Sequence, residues 1–149
     1  MGLSKMQHHT ARSTEWILTQ GVADEIAAIA QGAEVVLLDR AAHDALAYFY
    51  AALEYRGETA PRTERERLFT LAATQLPKCH LLLATVLDES VPVDSGHDYD
   101  PRYRRLVDHH VHQLLDRDDI PHLRVHSDPD SQAHIVDEAV RSCLTEALV

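Results

Sequence analysis

From Thr10 to about Gly32, apolar residues recur at three- and four-residue steps: Ile17, Leu18, Val22, Ile26 and Ile29. That period predicts an amphipathic helix, and Gly32 suits its C-terminal stop. Val35 to Leu38 is a short, wholly apolar run of β-formers, which predicts a strand buried on both faces. Residues 41 to 55 read as a second helix closed by Gly57. A third helix follows, with Pro61 near its start, Thr63 and Glu66 at capping-box spacing, and Pro77 at its end. "CHLLLATVL" and "HLRVHSD" are further strand candidates. Between them Tyr103, Leu106, Val107, His110, Val111 and Leu114 mark an amphipathic helix over 101 to 115. A last helix, roughly 131 to 147, is expected to bury Ile135, Val136, Ala139, Val140, Cys143 and Leu144. The stretch "DESVPVDSGHDYDP" is polar, rich in turn formers and reads as a mobile, lid-like loop.

Strands separated by helices predict parallel pairing with right-handed crossovers. The expected fold is α/β: a parallel sheet of three or slightly more strands flanked by helices, as a single domain over 1–149. The chain has 149 residues, enough for one domain with a core. Only 5% are aromatic, so aliphatic side chains must carry the packing.

The formal net charge of -10 argues against a nonspecific binder of nucleic-acid polymers and against docking on anionic membranes. A small anionic ligand is compatible with it, because a local arginine cluster can outweigh the global charge. There is no apolar run long enough for a transmembrane helix, and "MGLSKMQHHT" lacks the apolar core of a signal peptide and is too generic to indicate myristoylation. Cys79 and Cys143 fit reduced, buried thiols better than a disulfide. A cytoplasmic location is therefore expected.

Asp39 follows four apolar residues and should emerge at the carboxyl end of its strand, the edge where open α/β sheets bind ligands. A carboxylate there can hold magnesium through water or accept a proton from a substrate hydroxyl. Arg40 can grip a phosphate or sugar oxygen with its planar fork. The plainer alternative is a helix cap beside a surface arginine. Asp44 falls near the start of the next helix, where a negative charge is favoured anyway, and Tyr48 is one turn on and fits a core position.

The chain carries eleven histidines. "DHHVHQ" places Asp108 and His112, and His109 and His112, at helical spacings that suit a divalent metal, with a third ligand needed from His8, His9 or His97. The alternative is a solvated helix face. Arg102, Arg105, His109 and His112 share one helical stripe, which suits either an anion or the acidic loop before it. "RTERER" reads as a solvated helix start. Neither cysteine has a catalytic partner set, and no Gly-x-Ser-x-Gly element is present.

"VVLLDRAAHDALAY" resembles the strand and helix after the first crossover of P-loop kinases related to nicotinamide riboside kinase and thymidylate kinase, a group labelled AAA-domain or ATP/GTP-binding proteins. "STEWILTQGVADE" is similar to their substrate-side helix, and "DSGHDYDPRYRRLVDHHVHQLL" to their lid and following helix. "HSDPDS" falls where they place a loop near the adenine. The likeness spans nearly the whole chain through short motifs, of which the Asp-Arg element spaced to Asp44 and Tyr48 is the most specific.

It implies a P-loop NTPase-like three-layer fold missing its first strand, and ATP-dependent phosphoryl transfer to a nucleoside, nucleotide or related small metabolite. Asp39 would be the base or magnesium carboxylate and Arg40 a substrate clamp. As lid groups, one or more of Arg102, Arg104 and Arg105 would face the phosphoryl group. Trp16 and Gln20 would stack on and hydrogen-bond a ring, with Asp44 and Tyr48 beside the substrate. ATP and Mg²⁺ are the implied cofactors.

The glycine-rich loop Gly-x-x-x-x-Gly-Lys-Ser/Thr, whose amides cradle phosphate, is absent from this sequence. The chain begins about where the family's substrate-side segment begins. Phosphoryl transfer relies almost wholly on that cradle and its charges, so transfer is expected to be impaired or lost. The alternative is a non-catalytic module, a homo-oligomer or partner-binding protein, using the sheet edge that a missing strand would leave open.

Overall fold

"AHDALAYFYAALEYR" is apolar on almost every face, and a helix of that kind belongs inside a protein. The computed structural model describes residues 6–32, 35–75, 79–91 and 100–146. Following a 3-10 turn at Met6–His8 come α1 (Ala11–Ala30), α2 (Ala42–Arg56) and α3 (Arg62–Ala73). They precede β1 (Leu83–Thr85), α4 (Pro101–Arg117), β2 (Leu123–Val125) and α5 (Pro129–Glu146). The described residues are therefore mostly helical, with a small parallel sheet of two strands.

α2 is the centre of the core. Leu46, Ala47, Phe49, Ala51 and Ala52 are buried, with Leu18 of α1, Leu68 and Ala72 of α3, and Tyr103 and Leu114 of α4 around them. The alanines let neighbouring helices approach, and Phe49 and Leu46 fill the space between. Tyr103 is buried in this interface and donates its hydroxyl to the Tyr48 carbonyl at 3.0 Å. Burial pushes its phenol well above the ordinary range.

Helix ends follow local rules. Thr10 and Ser13 cap α1 reciprocally, at 2.9 and 3.2 Å. Gly57 ends α2 in the left-handed region at φ 67°, letting Glu58 N–H reach the Leu53 carbonyl at 2.8 Å. Asp100 caps α4 by accepting from Tyr103 N–H at 2.9 Å and also receives the Tyr55 hydroxyl at 2.5 Å, with Pro101 in the first turn. The expected Thr63–Glu66 box does not form. α3 starts two residues earlier, behind Pro61, and Glu66 pairs with Arg62 at 2.7 Å.

Three further expectations are corrected. Val35–Leu38 is not a strand: among the described residues it has no ladder partner, and Leu37 is 90% exposed. β-propensity expresses itself only where a neighbouring backbone takes the N–H and C=O groups. The two strands that do form are three residues each, shorter than their apolar runs suggest. On α5, Ile135 is buried but Val136 and Val140 are 60% and 53% exposed, because little beyond β2 packs on that helix. Ile26 and Ile29 are likewise exposed on the second half of α1. Pro77, His97, the Leu144 side chain and residues 92–99 of the expected loop lie outside the described residues. Among the described residues no helix is long and apolar enough to cross a membrane.

If α2 and α4 depend on Tyr103, its truncation should be severe. Tyr103→Phe is expected to lose about 1 kcal/mol of unfolding free energy, and Tyr103→Ala about 3–5 kcal/mol, measured by urea denaturation.

Candidate functional site

The Asp39–Arg40 turn feeds directly into α2 and forms a wall common to two hollows of about 1070 and 300 Å³. Arg40 sits at φ 78°, in the left-handed region that a residue with a Cβ adopts at a cost. Its guanidinium lies over the Tyr48 ring, 5.1 Å from the centroid. Asp44, in the first turn of α2, folds back to accept the Ala41 N–H at 3.0 Å. That bond fixes the direction in which the turn enters the helix.

The electrostatics are set by burial. Burial raises the Asp44 carboxyl above its ordinary value, and Asp39 adds to this, while the Ala41 N–H and Arg40 oppose it. His9 completes the smaller hollow, with its ring 5.7 Å from Tyr48. Burial, assisted by Arg40 and Arg56, lowers its pKa to about 4. At neutral pH it is therefore an uncharged imidazole, and its Nδ1 has no partner. Arg56 holds the preceding turn through the Gln7 and His9 carbonyls, at 2.5 and 3.1 Å.

Asp39, Arg40, Asp44 and Tyr48 are thus gathered in one place, and Arg104 reaches the larger hollow from α4. The other candidates lie elsewhere. Trp16 is 52% exposed and lines neither hollow, and Gln20 bonds Asp24 at 2.8 Å. Arg102 stacks on Tyr55 at 5.0 Å, and Arg105 pairs with Glu89 at 3.0 Å. The arginine–histidine stripe on α4 is therefore spent on separate local contacts. Its spacing was legible in the sequence, but its direction depended on how α4 docks.

On the histidine helix the expected Asp108–His112 pair does come together, at 3.7 Å, but its members also take separate partners. His110 meets Glu54 at 2.8 Å, and His112 approaches the Thr85 carbonyl at 3.2 Å. Asp108 accepts the Leu87 N–H at 2.8 Å, pinning the end of β1. Among the described residues no group of three or more His, Cys, Asp or Glu side chains is placed to hold a metal. Asp39 stands exposed at the mouth of both hollows.

Glu25 and Cys79 line both hollows and had no signal in the sequence. Glu25 is a buried carboxylate on an otherwise sparsely packed stretch of α1, and burial with Glu25 nearby raises the Cys79 thiol. His43 was equally invisible: it is 2% exposed, neither ring nitrogen has a partner, and burial lowers its pKa.

Comparison with protein-family models, curated proteins and solved structures gave no match.

Two consequences are measurable. At position 40, glycine should tolerate the left-handed backbone better than alanine. Arg40→Gly is expected to be about 1 kcal/mol more stable than Arg40→Ala in urea unfolding. His9 binds fewer protons folded than unfolded between its folded value of about 4 and its ordinary value of 6.5. Its contribution is therefore full above that window and falls with pH through it. Relative to His9→Gln, the native chain should lose about 1–2 kcal/mol between pH 6.5 and pH 4, after allowance for screening at the pocket mouth.

Proposed function

We propose that the chain binds a nucleoside, nucleotide or related small phosphorylated metabolite at the Asp39–Arg40 turn. The carrying observation is Arg40: a cation in a strained backbone, set over Tyr48 between two hollows and flanked by Asp39 and Asp44. Strain of this kind persists where surrounding structure enforces it, and it concentrates at binding sites. A hollow of about 300 Å³ is at the lower end of small-ligand sites.

In this reading the two strands and their helices are part of a P-loop-type three-layer fold acting in the cytoplasm. Arg40 clamps an anionic oxygen, Tyr48 offers a ring face, and Asp39 accepts a proton or holds magnesium through water. Mg-ATP would supply the phosphoryl group. With no glycine-rich loop in the sequence, binding is expected to outlast transfer.

A second reading, an interaction module that pairs with another chain, is favoured by the apolar side chains left exposed around the larger hollow.

Isothermal titration with a panel of nucleosides and nucleoside monophosphates, and with Mg-ATP, tests the first reading. Micromolar binding is expected for at least one phosphorylated ligand. Arg40→Ala should weaken it roughly tenfold and Asp39→Asn should alter its magnesium dependence. Absence of heat with every ligand would refute it.

A further inference from the structure

We propose that the larger hollow is a strand-acceptor groove, which takes an extended apolar segment with basic ends from a partner protein. The inference rests on the interaction-module reading and not on nucleotide binding. Ile29, Val35, Leu37, Leu38, Leu83 and Val91 all line the groove, and together they are most of the strongly exposed large apolar side chains among the described residues. Scattered exposed aliphatics are ordinary on a surface, but their convergence on one concavity is not.

The second observation is backbone. Leu123 N–H donates to the Leu82 carbonyl at 3.0 Å, and Val86 N–H to the Val125 carbonyl at 2.9 Å. Residues 82, 84 and 86 therefore turn towards β2, and in a pleated strand Leu83 and Thr85 turn to the opposite edge. The groove is on that side: residues 79–88 line it and none of Leu123–Val125 does. His112 approaches the Thr85 carbonyl, and among the described residues the Leu83 backbone has no hydrogen-bond partner. Across the same groove Val35–Leu38, a run of β-formers, has no ladder partner among the described residues either. Asp108 and His112 of α4 take the Leu87 N–H and the Thr85 carbonyl on this edge, which leaves its Leu83 stretch open. That short open stretch and the apolar run Val35–Leu38 thus bound one space.

Size and charge identify the occupant. A strand of about six residues is ~20 Å long, ~4.8 Å wide and ~10 Å deep between layers, or roughly 950 Å³. The groove is about 1070 Å³. Glu25, Asp39, Asp44, Asp88 and Asp108 outnumber Arg40 and Arg104 along it, so cationic ends on the incoming strand are favoured. A second copy of this chain, at a formal net charge of -10, would meet repulsion where a basic segment meets attraction. Strand addition supplies affinity through main-chain hydrogen bonds and specificity through side-chain pockets.

The test uses a fluorescein-labelled peptide of about five β-branched apolar residues between two lysines. Controls carry a central proline or have glutamates in place of the lysines. Fluorescence anisotropy should show micromolar binding of the first peptide, at least tenfold weaker binding of both controls, and a similar loss with Leu83→Lys. Amide hydrogen exchange on the native chain should slow at least tenfold at Leu83 and Thr85 when the peptide binds, a change that loose hydrophobic adhesion would not produce. Equal binding of the proline peptide, or binding without protection at β1, overturns the proposal. A concentration-dependent dimer that takes up no peptide also overturns it, while leaving the interaction-module reading standing. A monomer that binds no peptide removes both.

Discussion

The enclosure of α2 is the constraint on which the rest depends. Its alanines allow α1, α3 and α4 to close around it, and its larger side chains fill what remains. Domains are stable when one element can bury all its faces against layers of others, and here that element is a helix instead of a strand. The hydrogen bond from Tyr103 to the Tyr48 carbonyl joins α4 to the middle of α2. Removing backbone freedom at that point also fixes the start of α2, and with it the Asp39–Arg40 turn.

The site inherits its rigidity from there. A left-handed arginine is expensive in an isolated peptide and tolerable only when its neighbours hold it. Tyr48 receives the guanidinium from one side, and Asp44 clamps the Ala41 N–H from the other. The same enclosure keeps His9 neutral and raises the Asp44 carboxyl, so titrating groups meet at the wall between the two hollows. Such groups are common where ligands bind, since burial that shifts a pKa also strengthens any charge–charge contact made there.

The sheet half of the molecule has no comparable enclosure. Two strands of three residues each leave the Leu83 stretch of one β1 edge open, and α5 packs on β2 with only part of its apolar face. The contrast within one chain is marked: α2 is buried nearly all round, while Val35, Leu37 and Leu38, equally apolar, are exposed. Apolar area exposed in this way is a standing free-energy cost that contact with another segment would relieve.

The helices were determined by the sequence itself. Apolar patterning located α1, α4 and α5, and end signals α2 and α3, to within a few residues, because an α-helix satisfies its own backbone and needs only an apolar face and an end signal. Gly32 and Gly57 served as those signals. The gathering of Asp39, Arg40, Asp44 and Tyr48 was legible for the same reason, since they belong to one continuous turn and helix. Strands were a different matter: "VVLL" and "LLLATVL" are both β-formers, yet only the second pairs, because a ladder requires a partner that no local sequence supplies. Likewise the directions of Arg102, Arg105 and Trp16, and the burial of Glu25, His9 and His43, came from how helices dock. Those contacts join residues distant in the chain, and only the tertiary structure decides them.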